Sequence, residues 1–190
     1  MKPLPLSFYQ RPAKEVAKDL LGKIFVHRVG KKLLKARIVE TEAYIGPHDL
    51  ACHSAKGRTT RTEVMFGMGG HIYVYFIYGM YEMFNVVTGK ENEAEAVLIR
   101  AAESLDDSKL KLSGPGKFTR GMKITRKVNG LLLTSDKIFF SQGPSPKKII
   151  SDKRIGVDYA GKWKDAKLRF YDSESSEISR HRKKIIKRGK

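Results

Sequence analysis

The sequence predicts an α+β fold, a single domain around an antiparallel sheet with few helices. Strand-like segments recur in hairpin pairs along the 190 residues, and the helical patterns between them are short. Parallel sheets instead alternate their strands with long crossover helices, a pattern that this sequence lacks. No internal repeat or long linker divides the chain, and its length is sufficient for one hydrophobic core.

The first predicted elements are a helix and a strand pair. Pro12 opens the helix, apolar residues then recur at helical spacing, and Gly22 ends it. Two strands follow at Lys23–Val29 and Leu33–Ile45, joined by a turn at residues 30–32. These strands form the first predicted hairpin of the sheet.

A second hairpin is predicted near the middle of the chain. Its strands are His71–Tyr78 and Tyr81–Thr88, and Gly79 lies at the turn. Ala94–Ala102 is a further strand, rich in apolar residues.

The last third of the chain predicts one helix and several short strands. Pro115 lies near the start of the helix, which places Phe118 and Met122 on one face. The short strands are predicted at Lys137–Phe140, Lys148–Ile150 and Lys167–Tyr171.

The charge of the chain is strongly positive. It carries 38 Lys and Arg against 20 Asp and Glu, a net charge of +18, with a pI near 10.0. Such an excess favours a polyanionic partner, which is DNA, RNA or an anionic membrane surface, although a ribosomal-type or merely soluble basic protein would carry it too. Arg180–Lys190 holds seven of the cations and predicts a mobile basic tail after a domain of residues 1–179.

The composition also bears on the compartment. Cys52 is the only cysteine, so no internal disulfide can form, and a reducing compartment is expected. The first residues lack the apolar run of a signal peptide, and no segment approaches the length of a membrane span. We therefore expect a protein without membrane attachment, in the cytoplasm or nucleoid of a prokaryote or the nucleus of a eukaryote. A monomer is the simplest expectation.

The segment RIVETEAYIG, residues 37–46, places acids within a predicted strand. Alternate residues of a strand share a face. One face then predicts core: Val39, Thr41, Ala43 and Ile45. The other presents two carboxylates and a ring: Glu40, Glu42 and Tyr44. Such a face is either solvated, with its acids balanced by nearby lysines, or it sets a carboxylate base beside an aromatic ring.

The hairpin IYVYFIYGMYEMFNVV contains four of the eight tyrosines. Tyr73 and Tyr75 share one strand face, and Tyr78, beside the turn at Gly79, is free to protrude. The simpler interpretation is a core hairpin whose tyrosine hydroxyls reach solvent. Tyrosine rings also stack on nucleobases and wedge into duplex steps, and Asn85 could read a base edge.

Arg100 lies in the middle of a predicted strand, in the apolar run AVLIRAA. A guanidinium in such surroundings needs a buried carboxylate partner. Glu42 is a candidate for that partner.

These segments together resemble one known family. RIVETEAYIG, His53 with the serine after it, IYVYFIYGMYEMFNV, AVLIRA, SGPGK and RIGVDYAGKW occur in the same order in the alkyladenine (3-methyladenine) DNA glycosylases. The resemblance runs from about Leu4 to Tyr171. It implies a single domain around a curved antiparallel sheet, with a protruding hairpin that intercalates into DNA. It also implies base-excision repair of double-stranded DNA: excision of alkylated or deaminated purines such as 3-methyladenine, with no cofactor, no metal and no covalent enzyme intermediate.

The resemblance implies a catalytic set and a base pocket. Glu42 is the base that activates a water molecule, which Arg100 and the backbone carbonyl of Ile155 help to hold. The walls around the flipped base are Tyr44, His53 and Tyr75, while Asn85 excludes guanine by meeting its exocyclic amino group. Glu40 lies outside the matched catalytic position and is expected to matter much less.

The resemblance further implies residues that contact the duplex. Tyr78 is the wedge that fills the space left by the flipped base, and Met80 and Tyr81 complete the wedge hairpin. The implied phosphate contacts are Arg58, Arg61, Ser113 and Lys117.

Three alternatives remain open at this point. A glycosylase/lyase with a lysine nucleophile would be equally basic. A metal site formed by His48, Cys52, His53 and Glu42 is conceivable, although the spacing fits no common zinc pattern. A non-catalytic nucleic-acid-binding module would use the tyrosines as a stacking platform, but it leaves the acidic strand and Arg100 without a role.

Overall fold

The computed structural model describes residues 1–107 and 109–179, which form a curled antiparallel sheet with a few short helices. The α-helices are α1 (Leu6–Tyr9), α2 (Ala13–Asp19) and α3 (Pro115–Gly121). The strands are β1 (Ile24–Val29), β2 (Lys32–Tyr44), β3 (Ile72–Ile77), β4 (Tyr81–Thr88), β5 (Glu95–Ser104), β6 (Lys111–Ser113), β7 (Ile138–Ser141), β8 (Ile149–Asp152) and β9 (Arg169–Asp172). Every strand pair in this part of the chain is antiparallel, so the predicted α+β class and single domain are confirmed.

The sheet is organised around β2, its longest strand. The main path runs β3-β4-β5-β2-β1-β7, while β6 pairs with β5, β9 with β2, and β8 with β9. The first part of β2 pairs with β1, whereas residues 40–42 pair with β9 on the same edge. The acidic segment of β2 therefore lies between β5 and β9, inside the sheet.

A bulge interrupts β2 at the start of the acidic segment. Val39 of β2 and Arg100 of β5 have no partner in the register of the two strands. Because of this irregularity, Ile38 and Ala43 both lie in the main core although they are an odd number of positions apart. The predicted core positions are confirmed as buried, since Val39, Thr41 and Ala43 are all fully buried and Ile45 packs against the core. Strict alternation does not extend across the bulge, so Val39 lies outside the main core cluster to which Ala43 belongs.

The helices cover one face of the sheet. The hydroxyl of Thr41 in β2 donates to the carbonyl of Ala17 in α2 at 2.7 Å. Phe118 of α3 packs edge to face against Phe25 at a ring distance of 5.3 Å, and Met122 beyond the helix is also buried. This confirms the helix predicted at Pro115 and its apolar face.

The β3–β4 hairpin turns through Tyr78 and Gly79, with φ values of 53° and 66°. The amide of Met80 closes the turn by donating to the carbonyl of Ile77 at 3.2 Å. Positive φ at both central positions is that of a type I′ turn, which favours Asn, Asp or Gly over a bulky residue at the first of them. A tyrosine at this position therefore carries backbone strain that the hairpin tolerates.

Two short elements were not predicted from the sequence. These are α1 and β6, which have four and three residues and are too short for a periodic pattern to stand out. Within the residues that the structure describes, no helix has the length and apolarity needed to cross a bilayer. The predicted basic tail, residues 180–190, lies outside the described residues.

Candidate active site

A cavity of about 310 Å³ opens between the β3–β4 hairpin, the end of β2 and the loop that follows β8. Seven of the predicted site residues line it: Tyr44, His53, Tyr75, Tyr78, Asn85, Arg100 and Ile155. Glu42 lies behind this wall, fully buried. The cavity is concave and mainly aromatic, with a few convergent polar groups, which is typical of a small-ligand site.

Glu42 is held by three groups that line the cavity. Its Oε2 accepts hydrogen bonds from the hydroxyl of Tyr44 at 2.9 Å and from the guanidinium of Arg100 at 3.2 Å. Its Oε1 accepts from the backbone N–H of Ile155 at 2.8 Å. The solvated-face interpretation of the acidic strand is wrong, because Glu40 and Glu42 are both fully buried.

Arg100 carries a charge that two carboxylates stabilise. It contacts Glu42, as expected from the sequence, and its Nε also lies 3.7 Å from Oε1 of Glu40. Burial disfavours the charged guanidinium, but attraction to Glu42 and Glu40 outweighs burial and raises the pKa of Arg100. A permanent positive charge therefore lies between the two acids and faces the cavity.

Tyr44 is fixed from behind by a buried ion pair that we did not predict. Arg154 donates to Asp49 through both terminal nitrogens, at 2.5 and 2.9 Å, and both side chains are fully buried. The same guanidinium lies 4.8 Å from the centre of the Tyr44 ring and also donates to the carbonyl of Ala43. Burial and the neighbouring Glu42 raise the pKa of Tyr44 well above its usual value, so its hydroxyl remains a donor.

Another part of the cavity wall is formed by three rings, His53, Tyr73 and Tyr75, which pack edge to face or tilted against one another. The hydroxyl of Tyr73 lies 2.9 Å from Nδ1 of His53, and the Tyr75 ring lies 4.4 Å from the His53 ring, centre to centre. Burial, assisted by the positive charges of Arg61 and Lys56, lowers the pKa of His53 to about 4. The imidazole is therefore neutral at physiological pH.

Asn85 lies on β4, almost fully buried at the cavity wall. Its amide nitrogen donates to the carbonyls of Tyr73 and Met83 at 3.2 and 3.3 Å. These two bonds fix the orientation of the amide.

The mouth of the cavity carries exposed apolar side chains. Tyr78 is 80 % exposed, and Met80 beside it at the hairpin tip is 61 % exposed. Tyr159, on the loop across the cavity, is 71 % exposed and was not predicted as a site residue. Tyr81 is different, because its ring packs so closely on α3 that a Cβ at Gly116 would lie 2.6 Å from it.

The four predicted phosphate contacts lie outside the cavity wall. Arg58 and Arg61 are exposed on the segment before β3, and Arg61 lies over the Tyr75 ring at 5.2 Å. Ser113 ends β6, and Lys117 is an exposed residue of α3. Arg58 has partners within the chain, since it donates to Asn92 at 2.8 Å.

The residues of the metal alternative do not converge on one point. Glu42 is surrounded by the donors named above, and His53 pairs with Tyr73. The thiol of Cys52 lies 3.0 Å from the Ser54 hydroxyl, and His48 packs near Trp163. Across residues 1–107 and 109–179, no three His, Cys, Asp or Glu side chains are arranged to hold a metal ion.

Comparison with known proteins decides the family. The family described as Methylpurine-DNA glycosylase (MPG) matches residues 7–176, most of the chain. The chain belongs to this family. It is a DNA-repair glycosylase for methylated purines, a hydrolase of N-glycosyl bonds, which confirms the family and enzyme class that the resemblance implied.

Individual relatives agree over nearly their full length. A protein of Legionella pneumophila (strain Lens) is 50 % identical over 182 residues, which cover 95 % of this chain and 100 % of the relative. A protein of Methanocella arvoryzae is 46 % identical, with 95 % and 97 % coverage, and one of Myxococcus xanthus is 46 % identical, with 93 % of each. Each carries the name "Putative 3-methyladenine DNA glycosylase".

Some residues that build the site of this glycosylase were missed in the sequence. Arg169 stands between Leu168 and Phe170, the same signal that identified Arg100, whereas Arg154 directly follows Lys153 and lacks it. That signal shows that a guanidinium is buried but does not identify its partner. Asp49 lies 105 residues before Arg154, so only the fold brings the two together.

Proposed function

We propose that this glycosylase rotates a damaged purine nucleotide out of duplex DNA into the cavity and hydrolyses its N-glycosidic bond with one water molecule. The observation that carries the proposal is the buried Glu42 carboxylate behind an aromatic cavity, held by Tyr44, Arg100 and the Ile155 amide. A base inside a duplex hides its glycosidic bond, so chemistry requires extrusion. An enclosed aromatic cavity is a suitable receptacle for the extruded base.

The proposed chemistry is direct displacement at the sugar. The oxygen of water bonds to C1′ of the deoxyribose, the bond between C1′ and the base nitrogen breaks, and its electron pair leaves with the base. A cationic 3-methyladenine then departs as a neutral molecule, and the proton of the water passes to Glu42. Arg100 and the backbone carbonyl of Ile155 hold the water, and the carboxylate stabilises the positive charge that develops on the sugar.

The walls of the cavity suit a positively charged base. Tyr44 and Tyr75 offer ring faces to a cationic purine, and such contacts are worth about 2 kcal/mol when desolvated. His53 is neutral because its pKa is lowered to about 4, so it does not repel that charge. This supports a preference for alkylated purines. Hypoxanthine and ethenoadenine are proposed as further substrates.

Asn85 is proposed to exclude normal guanine. Because its amide nitrogen is committed to two backbone carbonyls, the side chain cannot move aside for a larger base. The exocyclic amino group of guanine would collide with this fixed amide, so guanine would not fit into the cavity.

The tip of the hairpin is proposed to enter the duplex. Tyr78 is mostly exposed and occupies a turn position that disfavours a bulky residue. Strain of this kind is retained where the side chain has a function. We infer that the Tyr78 ring fills the gap in the base stack, with Met80 beside it, while Tyr81 joins the hairpin to α3.

The phosphate contacts lead to a prediction about salt. Each Lys or Arg that neutralises a phosphate contributes a slope of about −0.9 to the logarithm of affinity against the logarithm of salt concentration. Three single variants, Arg58→Ala, Arg61→Ala and Lys117→Ala, should each have a less steep slope and an unchanged lesion preference. The measurement is a salt titration of duplex binding, with Arg28→Ala on β1 as the control. A slope unaffected by all three replacements would place the DNA on another surface.

Two competing mechanisms are less well supported. A lysine nucleophile would need to reach the sugar, but no lysine is among the cavity-lining residues in the part of the chain that the structure describes. A non-catalytic module would not need a carboxylate buried behind its base pocket. The test is incubation with duplexes that carry one 3-methyladenine, hypoxanthine or ethenoadenine, followed by alkaline cleavage of abasic sites.

A further inference from the structure

We propose that Ser179 and Glu40 are positioning residues that hold Arg100 in line with Glu42, so that the end of the domain completes the active site. The inference rests on the function proposed above, because it gives Arg100 and Glu42 their roles. The family match ends at residue 176, and the resemblance assigned no role to Glu40. Both residues contact Arg100 at its Nε, whereas Glu42 contacts a terminal nitrogen of the same guanidinium.

Ser179 links Arg100 to Glu40. Nε of Arg100 donates to the Ser179 hydroxyl oxygen at 3.3 Å, and that hydroxyl in turn donates to Oε2 of Glu40. The backbone N–H of Ser179 donates to the same carboxylate oxygen at 2.7 Å. One hydroxyl thus accepts from the guanidinium and donates to the acid, which fixes the Nε side of Arg100.

Glu40 is held from its other side by Arg169. Its Oε1 accepts from Arg169 at 2.9 Å and lies 3.7 Å from Nε of Arg100. Arg169 also donates from its own Nε to the carbonyl of Lys153 at 2.9 Å, two residues before the amide that reaches Glu42. The network therefore fixes both Arg100 and the start of the loop beside the cavity.

The consequence concerns the direction of the Arg100 guanidinium. A long side chain with four rotatable bonds between its Cα and its guanidinium keeps one orientation only if both sides of the guanidinium are held. The Glu42 contact holds one side at 3.2 Å, and Ser179 with Glu40 holds the other. Without the second side, Arg100 would still be buried but would sample positions away from the reacting water.

The chain offers a matched control on the same segment. The hydroxyl of Ser175 donates to Oε1 of Glu103 at 2.6 Å; Ser175 is buried, and Ser179 is half-buried. Both serines join the last residues of the domain to a carboxylate on the sheet. Only Ser179 touches Arg100.

The experiment compares Ser179→Ala, Ser179→Thr and Ser175→Ala. We expect Ser179→Ala to lower the single-turnover excision rate about tenfold, the effect of a lost hydrogen bond to a charged group, with lesion-duplex affinity unchanged. Ser179→Thr retains the hydroxyl and should restore the rate. Ser175→Ala should lower the melting temperature to a similar extent but leave the rate unchanged. Equal rates for the two alanine variants would overturn the proposal.

A double variant tests whether Glu40 acts through the same residue. Glu40→Gln should also lower the rate, and its combination with Ser179→Ala should lose little more than the larger single effect, because both act through Arg100. Fully additive losses would overturn the shared role. If the wild-type protein excises no base, the proposed function fails. The contact between Ser179 and Arg100 is then tested separately, by measuring the exchange of the Arg100 Nε–H proton by NMR. Faster exchange in Ser179→Ala supports the contact, and unchanged exchange overturns it.

Discussion

Replacing Glu42 by glutamine is expected to lower excision by about 10²- to 10⁴-fold, the usual contribution of a general base, while lesion binding is retained or tightened. The amide has almost the shape of the carboxylate but cannot accept the proton of the attacking water. It also presents only one acceptor oxygen to the donors on the two sides, Arg100 and the Ile155 amide. Affinity should survive because Tyr44, Tyr75 and the hairpin still provide the binding surface.

The measurement is the single-turnover excision rate together with the affinity for a lesion duplex. Glu95→Gln is the matched control, since Glu95 is a half-buried carboxylate on β5 that accepts from the Ala13 amide and does not line the cavity. It should leave the rate unchanged. A near wild-type rate for Glu42→Gln would remove Glu42 from the mechanism.

Replacing Tyr78 by alanine is expected to weaken excision from a fully paired duplex about tenfold. A stacked aromatic ring is worth about 1–3 kcal/mol per base, and that free energy offsets the cost of extruding the nucleotide. When the lesion faces a mismatch or lies in single-stranded DNA, extrusion costs little, and the loss should be smaller. Because Tyr78 is 80 % exposed, its removal should not destabilise the fold.

Tyr75→Ala is the comparison that separates a wedge from a cavity wall. The cavity is needed however the base arrives, so this variant should be impaired on paired, mismatched and single-stranded substrates, most of all on cationic lesions. The Tyr75 ring packs on His53 and Tyr73, so its loss can destabilise the fold. The melting temperature of Tyr75→Ala must therefore be measured alongside its excision rate. Equal losses for Tyr78→Ala on all three substrates, with unchanged melting, would contradict the wedge.

Most strands of the sheet could be predicted from the sequence, because the signals for a hairpin lie close together in the chain. In hairpins such as β3–β4, the turn residues and the alternating side chains lie within about 17 residues, so a short segment of sequence is enough to predict the hairpin. The bulge at Val39 is different, because it is defined by register with β5, some 60 residues later. Strict alternation places Glu40 and Glu42 on one polar face, and nothing local shows which groups bury it. Arg100 and the Ile155 amide cover Glu42, while Arg169 and Ser179 cover Glu40.

The candidate site was predictable where a residue's own neighbours reveal its environment. Arg100 within an apolar strand required an acid, and the structure supplies Glu42 and Glu40. The pairing of Arg154 with Asp49 and the reach of Ser179 to Glu40 are set by the tertiary fold across 105 and 139 residues. These contacts hold Tyr44 and Arg100 in place on the side away from the cavity, and no spacing in the sequence specifies them.

The most direct test of the central claim is to identify the products of single-turnover reaction on a duplex with one 3-methyladenine. Direct hydrolysis predicts that free 3-methyladenine is released, that the strand breaks only after alkali, and that borohydride traps no covalent complex. An absence of base release would contradict the proposed activity. Base release with a borohydride-trapped adduct would contradict direct attack by water and favour an amine nucleophile.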